Sequence, residues 1–317
     1  MLNLIDFDNY GQNQRMYGGT AGRKMGICYK DENYILKFPG NLKEQQMKNI
    51  NLSYSNSPVC EYIGSKVYEI IGMDVHETIL GTRNGKTVVA CKDFLDEGDR
   101  LYEFDKIKVT FEPHFLDSNG NETNGVGVDL YEILMTIKEH PILADIKDVE
   151  LYFWKMFVID AWIGNPDRNN SNWGIIIKAD GTKRLAPVYD NGNCFNCKWD
   201  DAKMEQVISD PRTVQAEAFS GRRCIFELNG KKVNPYQLIE KREYAACDEA
   251  LAKLVPAMHV KLGEIQEMID DIPVISEVQK KFYKVMLQTR LDKVFMPVYQ
   301  EIMVERSKNH DRGGRCR

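Results

Sequence analysis

The chain has 317 residues, enough for two domains or for one fold in two lobes, since single cores stop growing near ~250–300 residues. A hydrophobic share of 43% with 28% charged residues is that of a globular protein, and a net charge of -5 excludes a general nucleic-acid binder. No run reaches the ~18 apolar residues of a membrane span, and the opening MLNLIDFDNYGQNQ has early Asp residues where a targeting segment has an apolar core, so a cytoplasmic location without membrane contact is expected.

In the first hundred residues, KMGICYK and NYILKFP alternate apolar with polar or small residues and predict two strands with DEN as a tight turn between them. In SPVCEYIGSKVYEIIG, Val59, Ile63, Val67 and Ile70 or Ile71 recur at helical spacing, with Ser57 as the cap and Pro58 in the first turn. A second hairpin follows in HETILGTRNGKTVVACKDFL, turning on Asn84-Gly85. Beyond a crossing segment at residues 91–97, DSNGNETNGVG predicts a surface loop, and from DLYEILMTIKEHPIL onward helical periods dominate. DVELYFWKMFVIDAWIG is apolar nearly all round and predicts a central buried helix. Long helices are expected over residues 234–270 and 275–306, with a hairpin in RRCIFELNGKKVNP tipped by Asn229-Gly230. The sum is an α+β chain: a small β-rich N-terminal lobe with one helix (residues 1–96) and a larger, mostly helical C-terminal lobe (residues 97–317). A ligand is expected in the cleft between them.

Directly after the buried helix comes GNPDRNNSNWG, four Asn around one Asp and one Arg. Asp167 and Asn172 stand at the interval used by protein kinases, where the Asp accepts the substrate hydroxyl proton and the Asn holds magnesium. Further on, LAPVYDNGNCF predicts a strand delivering Asp190, followed by Asn191 and Gly192 where kinases place Asp-Phe-Gly. Asn172 and Asp190 offer the hard oxygen ligands that Mg2+ prefers, and the surrounding amides bond without adding negative charge beside a polyphosphate. Each stretch alone also reads as an ordinary turn. In YGGTAGRKMGI, Gly19, Thr20, Ala21, Gly22 and Lys24 form a glycine-rich segment whose backbone N–H groups can approach phosphates; Met25 after Lys24 excludes a Walker A loop. Lys37 ends the next strand, placed to neutralise phosphates, and Glu61 on the helix is its expected partner.

These motifs, GGTAGRKMGI, YILKFP, SPVCEYIGSKVYE, VACKDF, GNPDRNNSNWG and VYDNG, resemble those of the HipA-like serine/threonine protein kinases, especially the compact subgroup of CtkA-like (cell-translocating) kinases. The resemblance covers residues 18 to about 195 and implies a bilobal protein-kinase-like fold that transfers the γ-phosphoryl group of ATP, with Mg2+, to Ser or Thr of a protein, the chain itself included. It implies that Lys37 contacts nucleotide phosphates, Asp167 is the catalytic base, Asn172 and Asp190 bind metal, and the backbone of Lys92 and Phe94 in ACKDF meets adenine. Asn169 stands where many relatives carry His after the Asp-Arg pair. Autophosphorylation of the glycine-rich loop falls on Thr20, whose hydroxyl alternatively bonds the loop backbone. An antitoxin or regulatory partner, a toxin–antitoxin role and export as an effector also belong to what the resemblance implies. Direct nucleic-acid binding does not, since no helix-turn-helix is evident.

Alternatives on the same fold are a small-molecule or lipid kinase and a nucleotide-binding pseudokinase. The loop lacks the His-Gly-Asp of aminoglycoside-type enzymes, and the set Lys37, Asp167, Asn172 and Asp190 opposes a pseudokinase. Arg168 is expected to pair with a loop carboxylate or a phosphate. Eight scattered Cys read as reduced thiols, Cys194-Asn-Phe-Cys197 is half a zinc site, and His76, His114, His140 and His259 lack ligand spacing.

Overall fold

The computed structural model of the chain describes residues 1–15, 17, 23–43, 52–111, 115–116, 122–123 and 125–313. Five strands make the N-terminal sheet: β1 (Ile5–Asp6), β2 (Lys24–Tyr29), β3 (Glu32–Lys37), β4 (Thr78–Arg83) and β5 (Lys86–Lys92), in the order β1-β4-β5-β3-β2. β1 is parallel to β4 and every other neighbouring pair is antiparallel. Asn84 and Gly85 turn the second hairpin with both φ positive, as expected. The first hairpin turns one residue earlier than DEN, on Lys30 and Asp31 at φ 49° and 64°, because Glu32 pairs with Tyr29.

Strand alternation then decides which side chains meet the cleft. Val88 and Ala90 join Phe7, Ile27 and Leu36 under the outer face of the sheet, while Val89 and Cys91 pack toward the helix Ser57–Ile70. Lys37 lies opposite Val89 in the ladder and so shares the helix-facing side. The helix begins after Asn56 rather than after Ser57. Asn56 makes no side-chain capping bond, and the Ser57 hydroxyl instead meets Ser55 Oγ at 2.8 Å.

Val149–Ile163 is the buried helix the sequence predicts, with Trp154, Val158, Ile159 and Trp162 fully inaccessible. Having no polar face, it is enclosed on several sides, by Leu130–Glu139, Pro235–Lys241, Ala245–Asp270 and Glu277–Arg290. Trp162 Nε1 donates to Leu287 O at 3.0 Å and Tyr236 Oη to Ala161 O at 2.7 Å. Gly164 ends the helix at φ 68°, and a Cβ there would lie 2.8 Å from Arg290 Nη2.

The strand Gly174–Ile177 runs antiparallel to Arg100–Glu103 and Lys183–Leu185. Residues 164–173 are therefore slung between a buried helix and a buried strand. The expected surface loop at 117–127 falls largely outside the described residues; within it, Glu122–Thr123 pairs with Phe115–Leu116. The Asn229-Gly230 hairpin is present with two-residue strands, Glu227–Leu228 and Lys231–Lys232. One core runs without a break from Val59, Ile63 and Val67 through Trp154 and Ile159 to Leu251 and Phe282. Among the described residues no helix is long and apolar enough to cross a membrane.

Candidate active site between sheet and helices

Lys37 Nζ donates to Glu61 Oε2 and to Asp190 Oδ1, each at 3.0 Å. β3 supplies the lysine, the helix Ser57–Ile70 the glutamate, and the segment after Val188 the aspartate. Burial works against the ammonium, but the Glu61 and Asp190 charges outweigh it and hold its pKa well above the usual lysine value. Glu61 is buried, and burial alone would lift its pKa; the Lys37 charge, His76 and the Asn191 N–H reverse that and keep it well below the usual range. This carboxylate meets His76 Nε2 at 3.0 Å and accepts from Asn191 N at 3.0 Å.

The loop after Gly164 is held from behind by Arg168. Its guanidinium takes Asp160 in a bidentate pair, Nε to Oδ2 at 2.7 Å and Nη2 to Oδ1 at 3.0 Å. It also donates to Asn172 O at 3.0 Å, Tyr189 O at 2.5 Å and Asn191 Oδ1 at 2.5 Å. The partner is thus a carboxylate of the buried helix, not of a loop, as the sequence reading had it. Asn172 Nδ2 donates to Asp167 O at 3.0 Å, closing the loop on itself. Asp167 is half-buried and its Oδ2 accepts from Asn193 Nδ2 at 2.8 Å. Burial raises the Asp167 pKa and Asp190 adds to the rise, against Asn169, Asn193 and Lys198. The strand expected to deliver Asp190 stops at Leu185; Val188 forms a single parallel bridge with Val75, and Asp190 itself is left-handed at φ 61°.

Two adjoining clefts surround these groups. One of about 430 Å³ has apolar walls at Ile35, Cys91 and Leu101 and a polar end at Lys37, Asn172 and Asp190. The other, of about 300 Å³, is lined by Lys37, Glu61, Asp167, Asp190 and Asn193. Lys24 borders both, and Lys92 and Phe94 border the larger. The Lys92 backbone N–H donates to Glu77 O at 2.8 Å within the sheet. Phe94 puts its ring 5.7 Å from that of Tyr189 at the cavity wall. Gly19, Thr20, Ala21 and Gly22 lie outside the described residues, as does His114.

Two residues of this cluster escaped the sequence reading. His76 is buried and bonds Glu61 and Ser65 Oγ, the latter at 3.2 Å. Asn191 replaces the Phe of kinases and is fully buried, joining Arg168, Ser65 and Glu61. Gly64 makes room for it: a Cβ there would lie 2.9 Å from Asn191 Cβ. Cys194 and Cys197 are buried thiols that burial pushes up in pKa, and Cys194 Sγ donates to Cys60 O at 3.2 Å.

Comparison with known proteins finds 32% identity over 281 residues, 88% of this chain and 82% of the other, with serine/threonine-protein kinase CtkA of Helicobacter pylori strain J99. The crystal structure of the proinflammatory kinase CtkA of Helicobacter pylori superposes with a TM-score of 0.84 at 29% identity, covering 95% of this chain and 98% of that one. A chain from the Shewanella oneidensis MR-1 toxin–antitoxin complex of HipA, HipB and operator DNA gives a TM-score of 0.53 at 13% identity, over 91% of this chain and 69% of that one, a likeness of fold alone. No protein-family model matches the chain.

Proposed function

This chain belongs to the family of serine/threonine-protein kinase CtkA, and from that premise we propose that Lys37, Asp167, Asn172 and Asp190 carry its reaction. The chain is a serine/threonine protein kinase, with ATP as the phosphoryl donor and a protein as the acceptor. What supports the assignment of residues is one observation above all: an ammonium bonded at once to the helix carboxylate Glu61 and to Asp190, on the boundary of two clefts whose rims carry Asp167 and Asn172.

The donor set suits a hard divalent cation. Asn172 turns its amide nitrogen inward to Asp167 O; its Oδ1, which accepts from Ser171 Oγ at 3.4 Å, keeps a lone pair for a cation, and Asp190 adds a partly exposed carboxylate. Asn172 and Asp190 would hold Mg2+ there, and the chemistry it would supply is neutralisation of phosphate charge. Lys37, its position fixed by Glu61, would contact the donor phosphates. Asp167, oriented by Asn193, accepts the proton of the acceptor hydroxyl as its oxygen bonds to phosphorus and the bond to ADP breaks. Phe94 and the apolar walls at Ile35, Cys91 and Leu101 suit the adenine ring.

Self-phosphorylation at Thr20 and a regulatory partner of antitoxin type belong to the same proposal. The second rests on the shared fold with HipA, which crystallised with HipB. A kinase turning over at ~10 per second faces a barrier of about 16 kcal/mol, and alignment with charge neutralisation supplies most of the reduction from solution. Asp167→Asn and Asp190→Asn are each expected to lower kcat by at least ~100-fold. The deciding experiment incubates the purified chain with Mg2+ and ATP, then maps phosphopeptides on the chain and on a cell lysate beside both variants. Near wild-type turnover in either variant rejects the assignment.

A further inference from the structure

A third cavity, of about 480 Å³, opens on the far side of Asp167. Its walls come from the segment after Asn193, from Arg222–Ile225 and from Lys232 on the short hairpin. It shares Asp167, Asn193, Cys197 and Lys198 with the cleft of about 300 Å³, and no residue with the cleft of about 430 Å³ assigned to the nucleotide. An acceptor hydroxyl entering from this side reaches Asp167 without crossing the nucleotide.

The charge of this cavity is out of keeping with the chain, whose net charge is -5. Lys198, Arg222, Arg223 and Lys232 line it, against Asp167 alone. Arg222 is neutralised by Glu217 at 2.6 Å and donates to Gly164 O at 2.9 Å, so it belongs to the scaffold. Lys198, Arg223 and Lys232 form no ion pair among the described residues. Arg223 and Lys232 are exposed at the rim, and Glu227, across the ladder from Lys232, does not line the cavity. Three unpaired cations around a concave pocket, with Trp199 as an apolar wall, attract carboxylates and extended chain.

We propose that this cavity receives the polypeptide around the acceptor and selects Ser or Thr flanked by Asp or Glu side chains. The inference rests on Asp167 being the base. Its test uses the full chain with Mg2+, ATP and a panel of Ser-centred peptides that differ only in carrying Asp and Glu, Gln, or Lys at the flanking positions. At low salt the acidic peptides are expected to show kcat/KM about tenfold above the Gln peptides, a preference that shrinks as ionic strength rises. Arg223→Glu/Lys232→Glu should favour the Lys peptides instead, and the milder Arg223→Gln/Lys232→Gln should erase the preference. Equal use of acidic and Gln peptides, a preference for Lys peptides in the wild type, transfer to the chain itself but to no peptide, or an acidic preference that survives both double variants overturns the inference while leaving the proposed reaction intact. A chain that transfers phosphate to nothing refutes both.

Discussion

Asp167 must be unprotonated to act, and its surroundings make that harder. Burial lifts its pKa above the usual carboxylate value and Asp190 lifts it further, while Asn169, Asn193 and Lys198 pull it back. The rate, as kcat/KM, should therefore fall as pH drops through a limb raised from that of an ordinary aspartate. Asn193→Ala removes the donor 2.8 Å from Oδ2, which disfavours the charged form, so the limb is expected at higher pH than in the wild type. A pH–rate profile of the two proteins checks this, and an unmoved or lowered limb counts against Asp167 as the base. The folded pKa of Glu61 is lowered, so its stabilising contribution is present above the unfolded value and is lost as pH falls from there toward the folded one.

Between the helix Val149–Ile163 and the strand Gly174–Ile177, the short loop keeps its shape because Arg168 reaches back to the helix at Asp160. Both charges are buried, so the pair is costly to break from one side. Arg168→Met strands the Asp160 carboxylate and is expected to cost about 3–5 kcal/mol in urea denaturation. Asp160→Asn combined with Arg168→Met should cost less than the sum of the two single changes, and additivity would show that the pair is not coupled. The helix, the loop and the Asp167-to-Asn172 interval were all legible in the sequence, because an all-apolar helix and its polar exit are local patterns. So was the Lys37–Glu61 pair, which follows from a strand and a helix packed face to face. His76 and Asn191 were not legible. Their bonds to Glu61 span 15 and 130 residues, and strand or helix periodicity says nothing about contacts that only the assembled fold creates.

The two lobes that the change of pattern near residue 97 suggests do not have separate cores. The helix Ser57–Ile70 buries Val59, Ile63 and Val67 in the same cluster as Trp154, Leu251 and Phe282, and among the described residues only the outer face of the sheet has a core of its own. The polar ties run the same way: Tyr68 Oη donates to Met156 O at 3.0 Å, Leu2 N to Asp271 O at 2.9 Å, and Glu61 binds the backbone of Asn191. Pulling residues 1–96 away would expose the side of that helix that packs on Val149–Ile163 and Ala245–Asp270, each large side chain uncovered there losing about 1.5–3 kcal/mol of burial. Partial unfolding at the expected boundary is therefore unfavourable, and the chain should melt as one unit despite its size. Calorimetry tests this directly: a single transition is expected, with calorimetric and van't Hoff enthalpies nearly equal. Two resolved transitions would mean that the sheet and its helix come free first, carrying Lys37 and Glu61 away from Asp190.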